Sequence, residues 1–271
     1  MRLTNARVVL TGATGGLGEA LARQLANAGA SLLLTARDPA RLERLASTVN
    51  GPCRVLAADL AAANGVDRLA AAAHHFGANV LINNAGIGGF GLFEEQGWGE
   101  VERILTTNLA VPVRLTQALL PSLRAQPAAV VVNIGSAFGS IPFAGFAAYS
   151  AAKAGLRAFS QGLRRELADT GVRVVHVSPR AIDTALNSPA VRQLNAELGN
   201  ASDRPEEVAS VVIAAIEDEC AERVVGQPER LFAWLNGCAP ALVDRGLRDK
   251  LSTIKRHAGD RTIAGAELSQ S

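Results

Sequence analysis

The residues best suited to chemistry lie close together in the middle of the chain. Tyr149 is the only tyrosine, and Lys153 follows it by four residues. Residues at this spacing on a helix share a face, so we expect the Lys153 ammonium beside the Tyr149 phenol. A nearby positive charge lowers the pKa of a phenol from about 10 and makes it a usable general acid or base for an alcohol–carbonyl interconversion. The alternative is an exposed tyrosine beside a solvated lysine.

Ser136 is the third candidate for the same site. It follows the apolar run 129–134 and lies 13 residues before Tyr149. Its hydroxyl can hydrogen-bond the substrate oxygen that the phenol would protonate.

A glycine-rich turn near the N-terminus supplies an independent signal. A strand pattern at 7–11 leads directly into TGATGGLG, residues 11–18, and a helical pattern follows. Gly12, Gly16 and Gly18 let the backbone approach a pyrophosphate held at the helix N-terminus. A tight turn that needs positive φ is the alternative. The strand before the turn and the helix after it are the context that favours phosphate binding.

The end of the second strand pattern bears on the type of cofactor. NAD sites usually carry an acidic residue there for the adenosine ribose, whereas this chain has Ala36 followed by Arg37. A guanidinium can pair bidentately with a 2′-phosphate, which favours NADP(H) over NAD(H). Asp38 leaves an alternative open, because it can cap the next helix or approach the ribose itself.

Composition restricts the class of protein. Of 271 residues, 19% are charged and 48% hydrophobic, and the net charge of +2 gives no reason to expect nucleic acid. The three cysteines, an odd number without a CxxC pair, indicate reduced thiols, and the four histidines show no metal-ligand spacing. The N-terminus leaves no room for a signal peptide, and no apolar run reaches the roughly 20 residues that span a bilayer. We expect a cytoplasmic protein without a metal.

Short apolar runs alternate with helical patterns, which is typical of βαβ units and a parallel sheet. Strands are predicted at 7–11, 31–35, 53–57, 79–82, 130–134, 172–177 and 222–225, with helices at 19–28, 39–49, 61–76, 97–123, 149–170 and 205–217. No linker or repeat interrupts this pattern. We therefore expect one Rossmann-type domain over residues 1–226.

The motifs together point to a family. TGATGGLG, Asp59-Leu60, NNAG at 83–86, Asn108, Ser136 and Tyr149-xxx-Lys153 occur in this order. Over roughly residues 6–225 the chain resembles the classical short-chain dehydrogenases/reductases. The resemblance implies an α/β fold with a doubly wound parallel sheet of seven strands in the order 3-2-1-4-5-6-7, helices on both faces, and a nicotinamide cofactor.

The resemblance also implies roles for single residues. Asn108 would anchor a water in a proton relay, Ser136 would orient the substrate oxygen, and Tyr149 would exchange its proton. Lys153 would bind the nicotinamide ribose and tune Tyr149. Thr11 would brace the glycine turn, Asp59 with Leu60 would lie along the adenine, and Asn84 would line the adenosine side. The full set of implied cofactor-binding residues is Thr11, Gly12, Thr14, Gly16, Leu17, Gly18, Arg37, Asp59, Leu60, Asn84, Ala85, Gly86, Tyr149, Lys153, Pro179, Ile182 and Thr184. For Asn84 an ordinary turn residue, and for Asn108 an interior helix residue, is the alternative.

One position departs from the family pattern. The usual Pro-Gly-x-(Ile/Val)-x-Thr after the sixth strand reads PRAIDT here, so Arg180 replaces the glycine. Our hypothesis is that Arg180 reaches the substrate mouth or the cofactor and favours an anionic or carbonyl-bearing substrate. The alternative is an arginine that points to solvent or to a neighbouring carboxylate.

The substrate side is less determined. Residues 185–202 correspond to a mobile lid in the family. Phe138, Phe143 and Phe146 indicate a hydrophobic carbonyl or alcohol substrate, or else they are core residues.

Beyond residue 226 the chain continues past the family core. Leu242, Leu247, Leu251 and Ile254 alternate with basic residues, which predicts a basic amphipathic helical extension over 227–257. It would contact a membrane surface peripherally, complete a subunit interface of a homodimer or homotetramer, or pack over the pocket. Residues 258–271 are predicted to form a disordered tail.

The function favoured is an NADP(H)-dependent oxidoreductase that transfers a hydride between nicotinamide and a carbonyl or secondary alcohol. An NADP(H)-binding sensor or scaffold with little turnover is the alternative, although the joint presence of Asn108, Ser136, Tyr149 and Lys153 argues against it. An isomerase or epimerase on a similar fold is a third class, and such relatives usually have a larger substrate region.

Overall fold

Seven parallel strands form one twisted sheet in the order β3-β2-β1-β4-β5-β6-β7. The computed structural model describes the backbone of residues 1–268 and the side chains of residues 1–4 and 6–259. The strands are β1 (Arg7–Thr11), β2 (Ser31–Ala36), β3 (Cys53–Ala57), β4 (Val80–Asn83), β5 (Ala129–Ile134), β6 (Val172–Ser178) and β7 (Glu222–Val224). The order reverses between β1 and β4, which makes a switch point at their carboxyl ends. The predicted doubly wound Rossmann-type sheet is confirmed.

Helices cover both faces of this sheet. They are α1 (Gly16–Asn27), α2 (Pro39–Ala46), α3 (Gly65–Phe76), α4 (Trp98–Leu105), α5 (Val111–Arg124), α6 (Ala147–Glu166), α7 (Pro189–Glu197), α8 (Pro205–Glu217), α9 (Gln227–Cys238), α10 (Pro240–Arg248) and α11 (Leu251–Leu268). Helices α1, α2 and α8 bury their apolar sides on one face, and α3, α5 and α6 on the other. Alternation along β1 shows why both layers form, since Val8 and Leu10 enter one core and Val9 the other.

Two helices have different bounds in the structure from those predicted. The helix expected over 97–123 is α4, a π-helical turn at Thr106–Ala110, and α5. The helix expected from residue 61 begins only at Gly65, because the Asp59 carboxylate and carbonyl first close a turn with the amides of Ala61 and Ala62. Both irregularities lie beside the cavity described below.

The C-terminal residues form three helices. Pro240 begins α10 and cannot continue the hydrogen-bond ladder of α9. The leucine and isoleucine pattern expected on one helix is divided between α10 and α11, and Ile254 packs with Phe90 and Phe146. The backbone is helical to Leu268, and residues 269–271 lie outside the described residues. The division into 1–226, 227–257 and 258–271 stays a prediction. None of the helices within residues 1–268 is both long and apolar enough to cross a bilayer.

Candidate active site

A cavity of about 1090 Å³ lies where the strands end. Residues that directly follow β1, β2, β3, β4, β5 and β6 all line it, as expected of a ligand site at the carboxyl edge of a parallel sheet. Every predicted site residue lines this cavity except Thr11. The volume is at the upper end for small-molecule sites, which leaves room for a dinucleotide and a substrate together.

The glycine turn presents the N-terminus of α1 to the cavity. Helix α1 begins at Gly16 after Gly15, which has no side chain to cap the first N–H groups. A Cβ on Gly18 would lie 2.2 Å from the Gly12 carbonyl oxygen, and Gly12 itself has a φ of +64°. Close backbone packing and free N–H groups at a helix N-terminus fit a bound pyrophosphate.

Thr11 supports this turn from beneath. Its buried Oγ1 accepts hydrogen bonds from the amides of Asn84 and Ala85, both at 2.9 Å, and donates to the Ile82 carbonyl. The Asn84 side-chain amide donates to the carbonyl oxygens of Thr11 and Gly12 at 3.0 and 3.1 Å. The NNAG segment therefore ties the loop after β4 to the loop after β1.

Ser136, Tyr149 and Lys153 meet at the end of β5. Ser136 follows β5, and its hydroxyl forms a hydrogen bond with the Tyr149 phenol. Tyr149 and Lys153 lie one turn apart in α6, with the Lys153 Nζ 5.8 Å from the centre of the tyrosine ring. The ammonium donates to the Ile134 carbonyl at 2.9 Å. The structure thus brings the three side chains together as their spacing indicates.

The protonation of this pair differs from our expectation. Burial raises the pKa of Tyr149 above its usual range, and the hydrogen bond from Ser136 partly offsets that rise. Burial lowers the pKa of Lys153 to about 8. We expected Lys153 to lower the pKa of Tyr149, and among the protein's own groups this expectation was wrong. Exclusion of water from the phenolate raises that pKa by more than the nearby ammonium lowers it. At neutral pH the phenol is neutral, the form in which it can donate a proton.

Asn108 lies in the π-helical turn and is fully buried. Its Nδ2 donates to the carbonyls of Ile87 and Ile104, both at 3.0 Å, and its Oδ1 accepts from the Ile87 amide at 3.2 Å. A Cβ on Gly86 would lie 2.7 Å from this Oδ1. Asn108 therefore joins the helix to the segment after NNAG at the cavity wall.

The adenosine end of the cavity carries two arginines. Arg37 is exposed and lines the cavity. Asp38 caps α2 by accepting the Arg41 amide at 3.1 Å, which is one of the two alternatives left open for it, and it also lines the cavity. Sequence reasoning missed Arg41, whose Nη2 donates to the Thr14 carbonyl at 2.6 Å. Its place in the first turn of the helix that Asp38 caps was the available signal.

Arg180 points to neighbouring carboxylates, which was the alternative interpretation of this residue. Its guanidinium pairs with both carboxylate oxygens of Asp203, with Nε 3.0 and 2.9 Å away, and lies 3.8 Å from Glu229. The Asp203 hydrogen bonds raise the pKa of Arg180. Arg180 also lines the cavity, which agrees with the first part of the hypothesis. Its charge is paired with two carboxylates, and a preference for an anionic or carbonyl-bearing substrate stays a prediction.

The substrate end is apolar and aromatic. The rings of Phe138 and Phe143 are stacked 5.2 Å apart, and Phe138 meets Tyr149 edge-on at 6.4 Å. Phe90, not singled out from the sequence, lies 5.0 Å from Phe146. C-terminal residues also line this end, which agrees with the alternative that the extension packs over the pocket: Phe232, Leu235, Leu242, Val243 and Leu247.

Comparison with known proteins identifies the family of this chain. The model of the family described as short chain dehydrogenase matches residues 6–195. The chain belongs to the short-chain dehydrogenase family. It is 31% identical over 261 residues to the ketoacyl reductase HetN of Nostoc sp., covering 90% of this chain and 88% of that protein.

Solved short-chain dehydrogenases have the same fold. A Streptomyces avermitilis member has a TM-score of 0.77 and 30% identity, over 92% of this chain and 98% of its own. The 3-ketoacyl-(acyl-carrier-protein) reductase of Brucella melitensis, solved with NADH, has a TM-score of 0.75 and 27% identity, over 82% and 97%. This chain is therefore an oxidoreductase-family protein with a nucleotide-binding Rossmann fold.

Proposed function

We propose that this short-chain dehydrogenase uses NADP(H) to interconvert a carbonyl and a secondary alcohol on a hydrophobic small molecule. The observation that carries the proposal is the meeting of Ser136, Tyr149 and Lys153 between the glycine turn and the aromatic end of one cavity. Bound nicotinamide supplies or accepts the hydride. The protein then has to hold the substrate oxygen and move one proton.

Each polar side chain has a task in that scheme. The neutral Tyr149 phenol delivers its proton to the substrate oxygen, and the Ser136 hydroxyl orients that oxygen by a hydrogen bond. The Lys153 ammonium binds the nicotinamide ribose and stabilises the phenolate that forms. Asn108 would hold a water that returns the proton from solvent.

The preference for NADP(H) rests on charge at the adenosine end. Arg37 and Arg41 both line the cavity there, Arg41 lies 3.7 Å from the Glu19 carboxylate, and Asp38 caps α2 through one carboxylate oxygen. A 2′-phosphate would find the Arg37 guanidinium, with that of Arg41 nearby. The remaining cofactor contacts are assigned to the predicted glycine-turn, Asp59-Leu60, NNAG and 179–184 residues.

The substrate class rests on the opposite end. Four phenylalanines surround the space beside Tyr149, so an apolar group next to the carbonyl would be buried there. Two relatives are named as reductases of ketoacyl groups, which supports a carbonyl as the reacting group.

Replacement of Tyr149 by phenylalanine tests the mechanism. With NADPH and a carbonyl found by screening aliphatic and aromatic ketones, Tyr149→Phe should reduce kcat by about 10² or more, since no other phenol exists to give the proton. The same variant should bind NADPH as the parent does, measured by nicotinamide fluorescence. Parental turnover in this variant would refute the mechanism. No turnover of any carbonyl by the parent, despite tight NADPH binding, would favour a sensor or scaffold.

A further inference from the structure

Large apolar side chains are exposed on α9 and α10. Leu231 and Trp234 are 62% and 64% exposed, Leu242 is 61% exposed, and Phe232 is 49% exposed. Leu231 and Trp234 are three residues apart on α9 and therefore share a face. Single exposed leucines are ordinary, but several on adjoining helices indicate an interaction surface. We call Leu231, Trp234 and Leu242, with the basic residues Arg245 and Arg248, the outer face.

The outer face is continuous with the mouth of the cavity. Phe232 and Leu242 line the cavity while remaining about half exposed, and Leu186, 50% exposed, does the same from the segment before α7. Other residues of the same two helices, Leu235 and Val243, form the cavity wall. One pair of helices thus presents apolar side chains inward to the substrate space and outward to its surroundings.

The same C-terminal segment carries an excess of positive charge. Residues 227–257 contain six lysines and arginines against three acidic residues. Arg230, Arg245 and Arg248 are all exposed, while Glu229 lies beside Arg180. Asp244 and Asp249 are exposed on and after α10, so the excess is moderate. Exposed apolar side chains and exposed arginines on the same helices are typical of helices that lie in a bilayer interface.

We propose that the outer face docks on an anionic lipid surface, with the cavity mouth turned toward the bilayer. Leu231, Trp234 and Leu242 enter the interface, and the arginines contact lipid phosphates. Docking does not depend on the reaction, whereas entry of a lipophilic substrate from the bilayer rests on the proposed function.

A second copy of the chain fits the outer face less well. Two-fold symmetric dimers bring the same patch of both subunits together, so the excess of arginine over acidic residues on one subunit would face the same excess on its partner. Repulsion between like charges opposes that arrangement. The same charges attract anionic lipid.

The two tryptophans allow a direct test. Trp98→Phe leaves Trp234 as the only tryptophan, and Trp234→Phe leaves Trp98 on α4. With vesicles in which about one lipid in three is phosphatidylglycerol and the rest are phosphatidylcholine, Trp234 emission should shift to shorter wavelength. Brominated lipid should quench it. Trp98 emission should not change. Vesicles of phosphatidylcholine alone should produce little effect on either.

Sedimentation with the same vesicles separates the contributions. Arg245→Gln with Arg248→Gln should lower the partition coefficient about 10- to 30-fold, and Leu231→Ser with Trp234→Ser by at least as much. Arg124→Gln and Phe93→Ser, exposed residues elsewhere, serve as matched controls and should leave binding unchanged.

Three outcomes would overturn the docking proposal. The first is that Trp234 emission does not shift with anionic vesicles, and the second is that the protein binds neutral vesicles equally well. The third is that sedimentation velocity shows an oligomer that the Leu231→Ser and Trp234→Ser changes dissociate. NADPH titration of each variant shows separately whether the nucleotide site is intact, so failure of docking and failure of the proposed function can be told apart.

Discussion

At the residue scale, Tyr149 and Lys153 are two titratable side chains that burial affects in opposite directions. Burial disfavours the charged form of each, so the pKa of the phenol rises and that of the ammonium falls to about 8. Lys153 keeps its charge below that pH and loses it progressively above. A ribose contact that depends on the ammonium should therefore weaken in alkaline solution.

The cofactor preference is a prediction at the same scale. Arg37→Ser should raise the Kd of NADPH about tenfold or more, since a hydrogen bond to a charged phosphate contributes roughly 1.5–3 kcal/mol, and should hardly change the Kd of NADH. Fluorescence titration with each nucleotide measures both. Arg44→Ser, at an exposed arginine on α2 that does not line the cavity, is the control. Equal loss of both nucleotides would show that Arg37 does not read the 2′-phosphate.

At the scale of elements, strands β4, β5 and β6 are joined to α6 by a buried polar network. Asn83 donates to Asn133 at 2.8 Å, Asn133 donates to the Ser160 hydroxyl at 2.8 Å, and that hydroxyl lies 3.2 Å from His176 Nδ1. Burial lowers the pKa of His176 from 6.5 to about 4, and the positive charge of Lys153 is among the lesser causes. The helix that carries Tyr149 is thus held to the sheet by a neutral imidazole.

This network predicts a loss of stability in acid. Between pH 6.5 and about 4 the unfolded chain binds a proton at residue 176 that the folded chain does not. The free energy of unfolding should therefore decrease as the pH is lowered through this window, and His176 should account for up to about 3 kcal/mol of that decrease. Urea unfolding at several pH values measures it. His176→Gln should flatten the curve, whereas His74→Gln, at an exposed site, should keep the parental slope.

At the scale of the whole molecule, Arg180 joins three parts of the chain. It follows β6, its partner Asp203 closes the segment that contains α7, and Glu229 begins α9. The Asp183 amide donates to the Asp203 carbonyl and the Asp203 amide donates to the Ala181 carbonyl, and these bonds hold the two ends of that segment together. The segment that contains α7 and the start of α9 are thereby fixed to the end of β6. Assembly as a homodimer or homotetramer and a cytoplasmic location stay predictions.

Loss of this pairing should be costly. Arg180→Ala would leave the Asp203 carboxylate, 10% exposed, without its guanidinium, and should lower the free energy of unfolding by about 2 kcal/mol. Arg223→Ala removes the more exposed pair with Asp218 and should cost less than about 1 kcal/mol. Equal losses in urea unfolding of the two variants would contradict a structural role for Arg180.

The sequence by itself determined the fold and the place of the chemistry. Short apolar runs between helical patterns located the strands, because burial on a parallel sheet demands apolar runs between amphipathic helices. The glycine turn, Ser136, Tyr149 and Lys153 were visible because backbone geometry and i, i+4 spacing are local properties. The same holds for Asp38, for which capping was one of two readings.

Only the tertiary structure decided how these residues are surrounded. The rise in the Tyr149 pKa depends on exclusion of water by elements far apart in sequence, so spacing alone led to the opposite sign. Arg180 was decided by Asp203 and Glu229, neighbours only in space. Phe90 and the α9–α10 residues entered the substrate end for the same reason. Local spacing specifies which atoms can meet within an element, whereas burial and charge pairing depend on how elements pack.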